Sequence, residues 1–183
     1  MFYVFERDPN ITIVGTVLDS DDGMVSRFTT GAPIPPSELP PRLTVEVEDA
    51  PDAYPDYFEL QQIPIASRPL VDALLGAGVD NVMAVPVLLD RGGRTTEGYS
   101  ILHIVGRVAA LDSAKSVVTK FGPQIVRIKQ LALAPRVPAD HKIFRLHELQ
   151  YIVLVTRDVR DAIAGFSGVV VSEAEGWSDS HQF

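Results

Sequence analysis

The stretch "VMAVPVLLD" (residues 82–90), with "RGGRTTEG" (91–98) and "YSILHIVGRV" (99–108) after it, decides how this chain folds. Two runs rich in Val, Ile and Leu flank a segment that contains three glycines. This pattern predicts a β-hairpin whose strands pair antiparallel. Pro86 lies inside the first run, and because proline donates no backbone hydrogen bond it predicts a sheet edge or a bulge there. An antiparallel hairpin is therefore expected over roughly Val82 to Val108.

On the N-terminal side of this hairpin, apolar and alternating runs predict strands over residues 1–6, 11–18 and 43–49. Between them, the thirteen residues 30–42 include five prolines, which favour an extended surface connection over a helix. Pro51 and Pro55 predict that the piece after residue 49 is irregular. A helix is expected within residues 65–82, with Ser67 as its N-cap and Gly76 or Gly78 as its end.

On the C-terminal side, strands are expected within residues 125–133, 141–148 and 151–156, and a helix after them with Thr156 as its N-cap. A closing strand is expected from residue 168. Many strands and few helices, without strict alternation, favour an α+β fold. We expect mostly antiparallel sheet with a few short helices in one compact two-lobed unit. That unit is a single domain over residues 1–183, with an acidic N-terminal lobe at about 1–60 and a core at about 61–183.

Composition narrows the class of protein. The chain of 183 residues has 46% hydrophobic residues, enough to build a core, and no cysteine, which excludes disulfides and thiolate metal sites. Neither a signal peptide nor an apolar run of about 20 residues is apparent. We therefore expect a soluble protein in the cytoplasm.

The net charge of −8 is concentrated in one part of the chain. Residues 1–60 hold twelve acidic residues and three arginines, whereas the rest of the chain is close to neutral. Such a field repels nucleic acid and attracts basic proteins. An acidic surface that only keeps the protein in solution is the simpler interpretation of composition alone, and it stays open.

The sequence contains no motif that demands catalysis. The four histidines do not form an H-E-x-x-H or similar metal-binding pattern, and G-x-S-x-G, P-loop and G-x-G-x-x-G motifs are absent. The run Asp19-Ser20-Asp21-Asp22-Gly23 matches only the beginning of a calcium loop. We therefore expect no enzymatic activity, no cofactor and no metal, and the function is expected to be binding.

The order of segments over about residues 54–172 resembles a bacterial immunity-protein family. This family was long described as a domain of unknown function and is abundant in myxobacteria. Its pattern has a Pro-Asp piece, a P-I-x-S helix start, a Val-rich strand with proline, a Tyr-led strand that closes in Leu-Asp, an I-F-R-L element and a final helix and strand. The matching residues here are Pro55-Asp56, Pro64 to Ser67 with Leu70 and Leu74, Val82 to Val87, Tyr99 to Leu102, Leu111-Asp112 with Ser116, Ile143 to Leu146, and Val155 to Val169.

Members of this family are typically encoded beside secreted or polymorphic toxins, so the resemblance implies a protein that binds and neutralises a cognate toxin. The family usually has asparagine where this chain has His103. His103 is expected to be a structural side chain of a core strand, and Arg145 is expected to pair with an acid such as Asp112 or to pack its stem across the sheet.

The acidic third then predicts where the toxin binds. A nuclease toxin presents a basic, phosphate-binding active site, which an acidic surface can occupy. The candidate contact residues are Asp19, Asp21, Asp22, Glu46, Glu48 and Asp49. A toxin of another class stays open, as does a homo-oligomer, and neither nucleic acid nor a membrane is an expected partner. The alternative function is a small-ligand-binding module or an enzyme with a pocket between the lobes.

Overall fold

The computed structural model describes residues 1–18, 23–137 and 140–179. Within them, most of the regular structure is β-strand, accompanied by short helices. The strands are β1 (Phe2–Arg7), β2 (Val14–Leu18), β3 (Leu43–Asp49), β4 (Tyr57–Leu60), β5 (Ile63–Ser67), β6 (Val82–Arg91), β7 (Arg94–Ile104), β8 (Arg107–Val108), β9 (Val117–Phe121), β10 (Gln124–Gln130), β11 (Ile143–Leu146), β12 (Val153–Thr156) and β13 (Val169–Glu173). The helices are α1 (Met24–Arg27), α2 (Arg68–Gly76) and α3 (Arg157–Ile163), with one 3₁₀ turn at Pro36–Glu38.

The hairpin predicted over roughly Val82 to Val108 is confirmed, but it ends at Ile104, because Arg107–Val108 form β8, which pairs with β11 in the other sheet. β6 and β7 pair antiparallel from Val82↔Ile104 to Arg91↔Arg94, with one register shift between Val87 and Leu89. They form the middle of a curled six-stranded sheet in the order β2-β3-β6-β7-β5-β4. Its pairs are antiparallel except for β3 with β6, which is parallel. The segment between β3 and β6 contains a hairpin and α2, a long crossover of the kind that parallel pairing requires.

A second, five-stranded sheet has the order β13-β1-β12-β11-β8, and β9 with β10 forms a separate two-stranded ribbon. In the five-stranded sheet only β8 with β11 is parallel. The predicted α+β class with mostly antiparallel sheet is therefore confirmed. Strands from residues 1–60 enter both sheets, since β1 lies between β12 and β13 while β2 to β4 belong to the six-stranded sheet. The predicted lobe boundary near residue 60 does not coincide with the division between sheets.

Three groups of buried apolar side chains hold these layers together. One group lies between the two sheets and includes the buried faces of α2 and α3. Another lies inside the curve of the six-stranded sheet, where Phe28 and Ile34 of the connecting segment cover it. The last lies between the five-stranded sheet and the β9–β10 ribbon. Burial at roughly 25 cal/mol per Å² of apolar area is the main source of stability in all three.

The helix predicted within residues 65–82 is shorter than expected. Ser67 is the N-cap as predicted and α2 ends at Gly76, but Ile65 and Ala66 belong to β5. The piece predicted to be irregular contains β4, which pairs with β5 through a two-residue turn at Gln61-Gln62. In the described part of the chain, no helix has both the length and the apolar content needed to cross a membrane.

Candidate functional site

The acidic residues of β3 lie on the outward side of the curled sheet. Side chains alternate between the two faces of a strand, so Val45 and Val47 are buried while Glu46 and Glu48 are exposed. Glu46 and Glu48 have no hydrogen-bond or ion-pair partner in the described part of the chain. Asp49, at the end of the strand, lies 3.7 Å from the Arg91 guanidinium. Two of the predicted contact residues therefore present unpaired carboxylates on one open surface.

Neighbouring strands add to this surface. Glu46 pairs across the sheet with Thr16 of β2 and with Asp90 of β6, so a second carboxylate stands beside it. The next row is Leu18, Thr44 and Leu88, and Leu18 is largely exposed. We call the outward side of β2, β3 and β6 the acidic sheet face, with members Thr16, Leu18, Thr44, Glu46, Glu48, Leu88 and Asp90. It combines an acidic row with an apolar one, as protein interfaces commonly do.

The other three predicted contact residues, Asp19, Asp21 and Asp22, lie outside the described residues. They follow β2, which ends at Leu18. Their role in binding stays a prediction.

A cleft between the two sheets holds polar side chains that sequence reasoning missed. Phe5 of β1 packs on Tyr57 of β4, with ring centroids 4.5 Å apart. Two residues further along each strand, and so on the same faces, stand Arg7 and Glu59. Both line a cavity of about 360 Å³ together with the Gln61-Gln62 turn. We call these four residues, Arg7, Glu59, Gln61 and Gln62, the charged cleft.

The two charged groups of this cleft do not form an ion pair with each other. The Tyr57 hydroxyl donates to Glu59 Oε1 at 2.7 Å, whereas the Arg7 guanidinium has no partner among the described residues. Burial raises the pKa of the Glu59 carboxyl, and the hydrogen bond from Tyr57 and the charges of Arg7 and Arg145 act in the opposite direction. The cleft thus holds a cation and an acidic group that are close enough to interact but are not joined.

Gln61 and Gln62 have an uncommon backbone conformation. Their φ angles are 52° and 67°, in the left-handed region that residues with a Cβ adopt at a cost. A two-residue hairpin turn requires this conformation, and Asn-Gly is the sequence that satisfies it best. Gln62, together with Tyr151, also lines a neighbouring cavity of about 470 Å³. Gln62 therefore lines both cavities, whereas Gln61 lines only the first of them.

His103 and Arg145 are both buried and bind backbone carbonyls. His103 Nε2 lies 2.8 Å from the Ala32 oxygen, consistent with the predicted structural role of this side chain. The Arg145 guanidinium donates to the carbonyl oxygens of Gln150 and Phe28 at 2.9 and 3.3 Å. Of the two predicted alternatives for Arg145, the pairing with an acid such as Asp112 is not found in the described residues, because the Asp112 carboxylate accepts from the backbone of residues 114 and 115 and pairs with Lys115.

The β9–β10 ribbon is a second feature that sequence reasoning missed. Residues 113–131 contain four basic residues and no acidic one. Phe121 at the tip of the ribbon is 79% exposed. The run "VVTKF" before a Gly-Pro pair was the available signal for a strand and turn. The ribbon therefore carries Lys120, Arg127 and Lys129 beside an exposed aromatic tip, and Arg127 is paired with Asp179.

Neither a metal site nor a known relative identifies the function of this protein. In residues 1–18, 23–137 and 140–179, no three His, Asp or Glu side chains are grouped so that they could hold a metal ion. A scan against models of known protein families and a search of curated proteins found no match. The acidic sheet face and the charged cleft are therefore the candidate functional sites among the described residues.

Proposed function

We propose that this protein is an immunity protein that binds a cognate bacterial toxin and blocks it by covering its active site. The proposal rests on one observation: the exposed carboxylates of Glu46 and Glu48 on the acidic sheet face have no ion-pair partner among the described residues. Unpaired like charges on neighbouring positions repel each other, and a basic partner removes that repulsion.

The composition of the acidic sheet face fits a basic protein partner. The first sixty residues carry a net charge of −9, which steers a basic molecule before contact. The exposed row with Leu18 offers apolar area beside the carboxylates, so that contact can bury apolar surface as well as pair charges. A toxin that binds phosphate groups, such as a nuclease, has the complementary charge.

The resemblance to an immunity-protein family supports the same proposal from another direction. The matching segments include the β5–α2 start, the β6–β7 hairpin and the "IFRL" strand β11. Family members are encoded beside toxins, so the product of the neighbouring gene is the first candidate for the partner. Cytoplasmic location is part of this proposal.

An inhibition assay tests the proposal. The toxin encoded next to this protein is assayed with an equimolar amount of the wild-type protein and of the variant Glu46→Lys/Glu48→Lys. The wild type is expected to abolish toxin activity, and the variant is expected to inhibit at least about tenfold less at low salt. The control Asp161→Lys/Glu173→Lys makes the same charge change on α3 and β13 and is expected to inhibit like the wild type. Full toxin activity in the presence of excess wild-type protein would contradict the proposal.

A further inference from the structure

The charged cleft is built differently from the acidic sheet face and shares no residue with it. It lies where β1 of one sheet meets β4 of the other, next to the contact between the Phe5 and Tyr57 rings. The cavity it lines, of about 360 Å³, has room for about ten waters of about 30 Å³ each. A molecule of amino-acid size fits into this space.

The charged residues that line this cavity are Arg7, Asp8 and Glu59, and the Asp8 carboxylate accepts hydrogen bonds from the backbone and the side chain of Asn10. The charges of Arg7 and Glu59 then define what a bound molecule must carry. Arg7 and Glu59 face the same cavity without an ion pair between them, and the Arg7 guanidinium has no other partner among the described residues. A guanidinium binds a carboxylate through two parallel hydrogen bonds, and a carboxylate binds an ammonium group. A ligand with both groups, separated by a short spacer, bridges the two side chains and neutralises both.

The strained turn supports a binding role for the same cleft. Gln61 and Gln62 hold left-handed conformations that Asn and Gly would adopt at lower cost. Strained positions of this kind often occur at binding sites, where the contacts of the side chain with the ligand offset the cost of the strained backbone. A carboxamide both donates and accepts hydrogen bonds, so the two glutamines complement a ligand that has donors at one end and acceptors at the other.

The other residues that line the cavity indicate the remaining chemistry of the ligand. Ile11, Ile13, Tyr57 and Tyr151 also line the cavity. An apolar or aromatic wall next to a few polar groups is typical of small-molecule sites. We propose that the charged cleft binds a small zwitterion of the α-amino-acid type, with its carboxylate on Arg7 and its ammonium group on Glu59. This proposal goes beyond toxin binding and does not depend on it.

Calorimetric titration of the full-length protein with each proteinogenic L-amino acid in turn tests the proposal. At least one amino acid is expected to bind. The variants Arg7→Gln and Glu59→Gln are each expected to bind it about tenfold to a hundredfold more weakly, since each loses one charged hydrogen-bonding group. The control Arg42→Gln/Glu97→Gln removes an exposed Arg–Glu pair at another place and is expected to bind like the wild type. Circular dichroism of each variant establishes that it is folded.

Modified ligands complete the test without any mutation. The N-acetylated and the C-amidated forms of the amino acid that binds each lack one charge, and the wild type is expected to bind both at least about tenfold more weakly. The proposal is overturned if no amino acid binds to the folded wild type, or if the modified forms bind as tightly as the zwitterion.

Discussion

His103 and Arg145 meet at a single carbonyl oxygen, that of Phe28, which lies 3.3 Å from His103 Nδ1 and 3.3 Å from an Arg145 amino nitrogen. The shorter contact of the imidazole, 2.8 Å to the Ala32 oxygen, assigns its proton to Nε2 when the ring is neutral. These two side chains therefore fix the segment from Phe28 to Ala32 on both sheets. That segment covers the inside of the curled sheet, so these buried polar groups contribute to the fold.

The buried imidazole makes stability depend on pH. Burial lowers the pKa of His103 from its ordinary value of 6.5. The hydrogen bonds to the Ala32 and Phe28 carbonyl oxygens act in the opposite direction, and the positive charges of Arg145 and Arg27 add to the effect of burial. Below about pH 6.5 the unfolded chain therefore binds a proton that the folded protein does not, and the free energy of unfolding falls as pH falls. Urea unfolding between about pH 7 and pH 5 is expected to show a steeper loss for the wild type than for His103→Asn. Equal slopes would mean that His103 titrates alike in both states.

Leu102, the neighbour of His103, provides a test of core packing. Leu102 is fully buried between the sheets, whereas Leu75 on α2 is 51% exposed. Leu102→Ala is expected to lower the free energy of unfolding by about 2–5 kcal/mol because it leaves a cavity. The matched change Leu75→Ala is expected to cost less than about 1 kcal/mol. Urea denaturation measures both, and similar losses at the two positions would contradict the described packing.

The two longer helices, α2 and α3, differ in the hydrogen bonding of their N-cap side chains. Ser67 Oγ accepts from the Leu70 N–H at 3.4 Å and donates to Asp56 Oδ1 at 2.7 Å, which links the start of α2 to a second segment. Thr156 is the N-cap of α3, but its hydroxyl is buried and has no partner in the described residues. Ser67→Ala is therefore expected to cost about 0.5–2 kcal/mol. Thr156→Ala is expected to cost less, and a loss at Thr156 as large as that at Ser67, in urea denaturation, would contradict these cap geometries.

The β4–β5 and β9–β10 turns allow the effect of left-handed backbone conformations on stability to be measured in both directions. Gln61→Asn/Gln62→Gly is expected to raise the free energy of unfolding by about 1 kcal/mol, because it places favoured residues at left-handed positions. Gly122 in the β9–β10 turn has a φ of +59° and free space around its Cβ position, so Gly122→Ala is expected to lower stability by a similar amount. Thermal unfolding measures both changes. A destabilised Gln61/Gln62 variant would show that the turn is not strained.

Local sequence patterns predicted several elements because their causes are local. The β6–β7 hairpin and the Ser67 cap follow from alternation, glycine and a capping side chain within a few residues. The β4–β5 hairpin was not predicted because Gln-Gln is not a turn signal. The parallel pairing of β3 with β6 was not predicted because it depends on a long crossover connection.

The sequence predicts that negative charge is concentrated in the N-terminal third of the chain, but it does not predict where the charged cleft lies. Alternation along β3 already implied that Glu46 and Glu48 share an exposed face. Arg7 and Glu59 are far apart in the sequence, and they meet only because β1 lies between β12 and β13 and packs on β4. Long-range packing of this kind leaves no local signal in the sequence.

The proposed binding of a toxin through the acidic sheet face is tested by the rate at which the two proteins associate. Stopped-flow measurements compare the wild type with Glu46→Lys/Glu48→Lys at about 0.01 M and about 1 M salt, where the Debye length falls from about 30 Å to about 3 Å. We predict that the variant associates at least about tenfold more slowly at low salt, and that the two rates converge at high salt. An association rate that changes neither with salt nor with this charge reversal would contradict the claim.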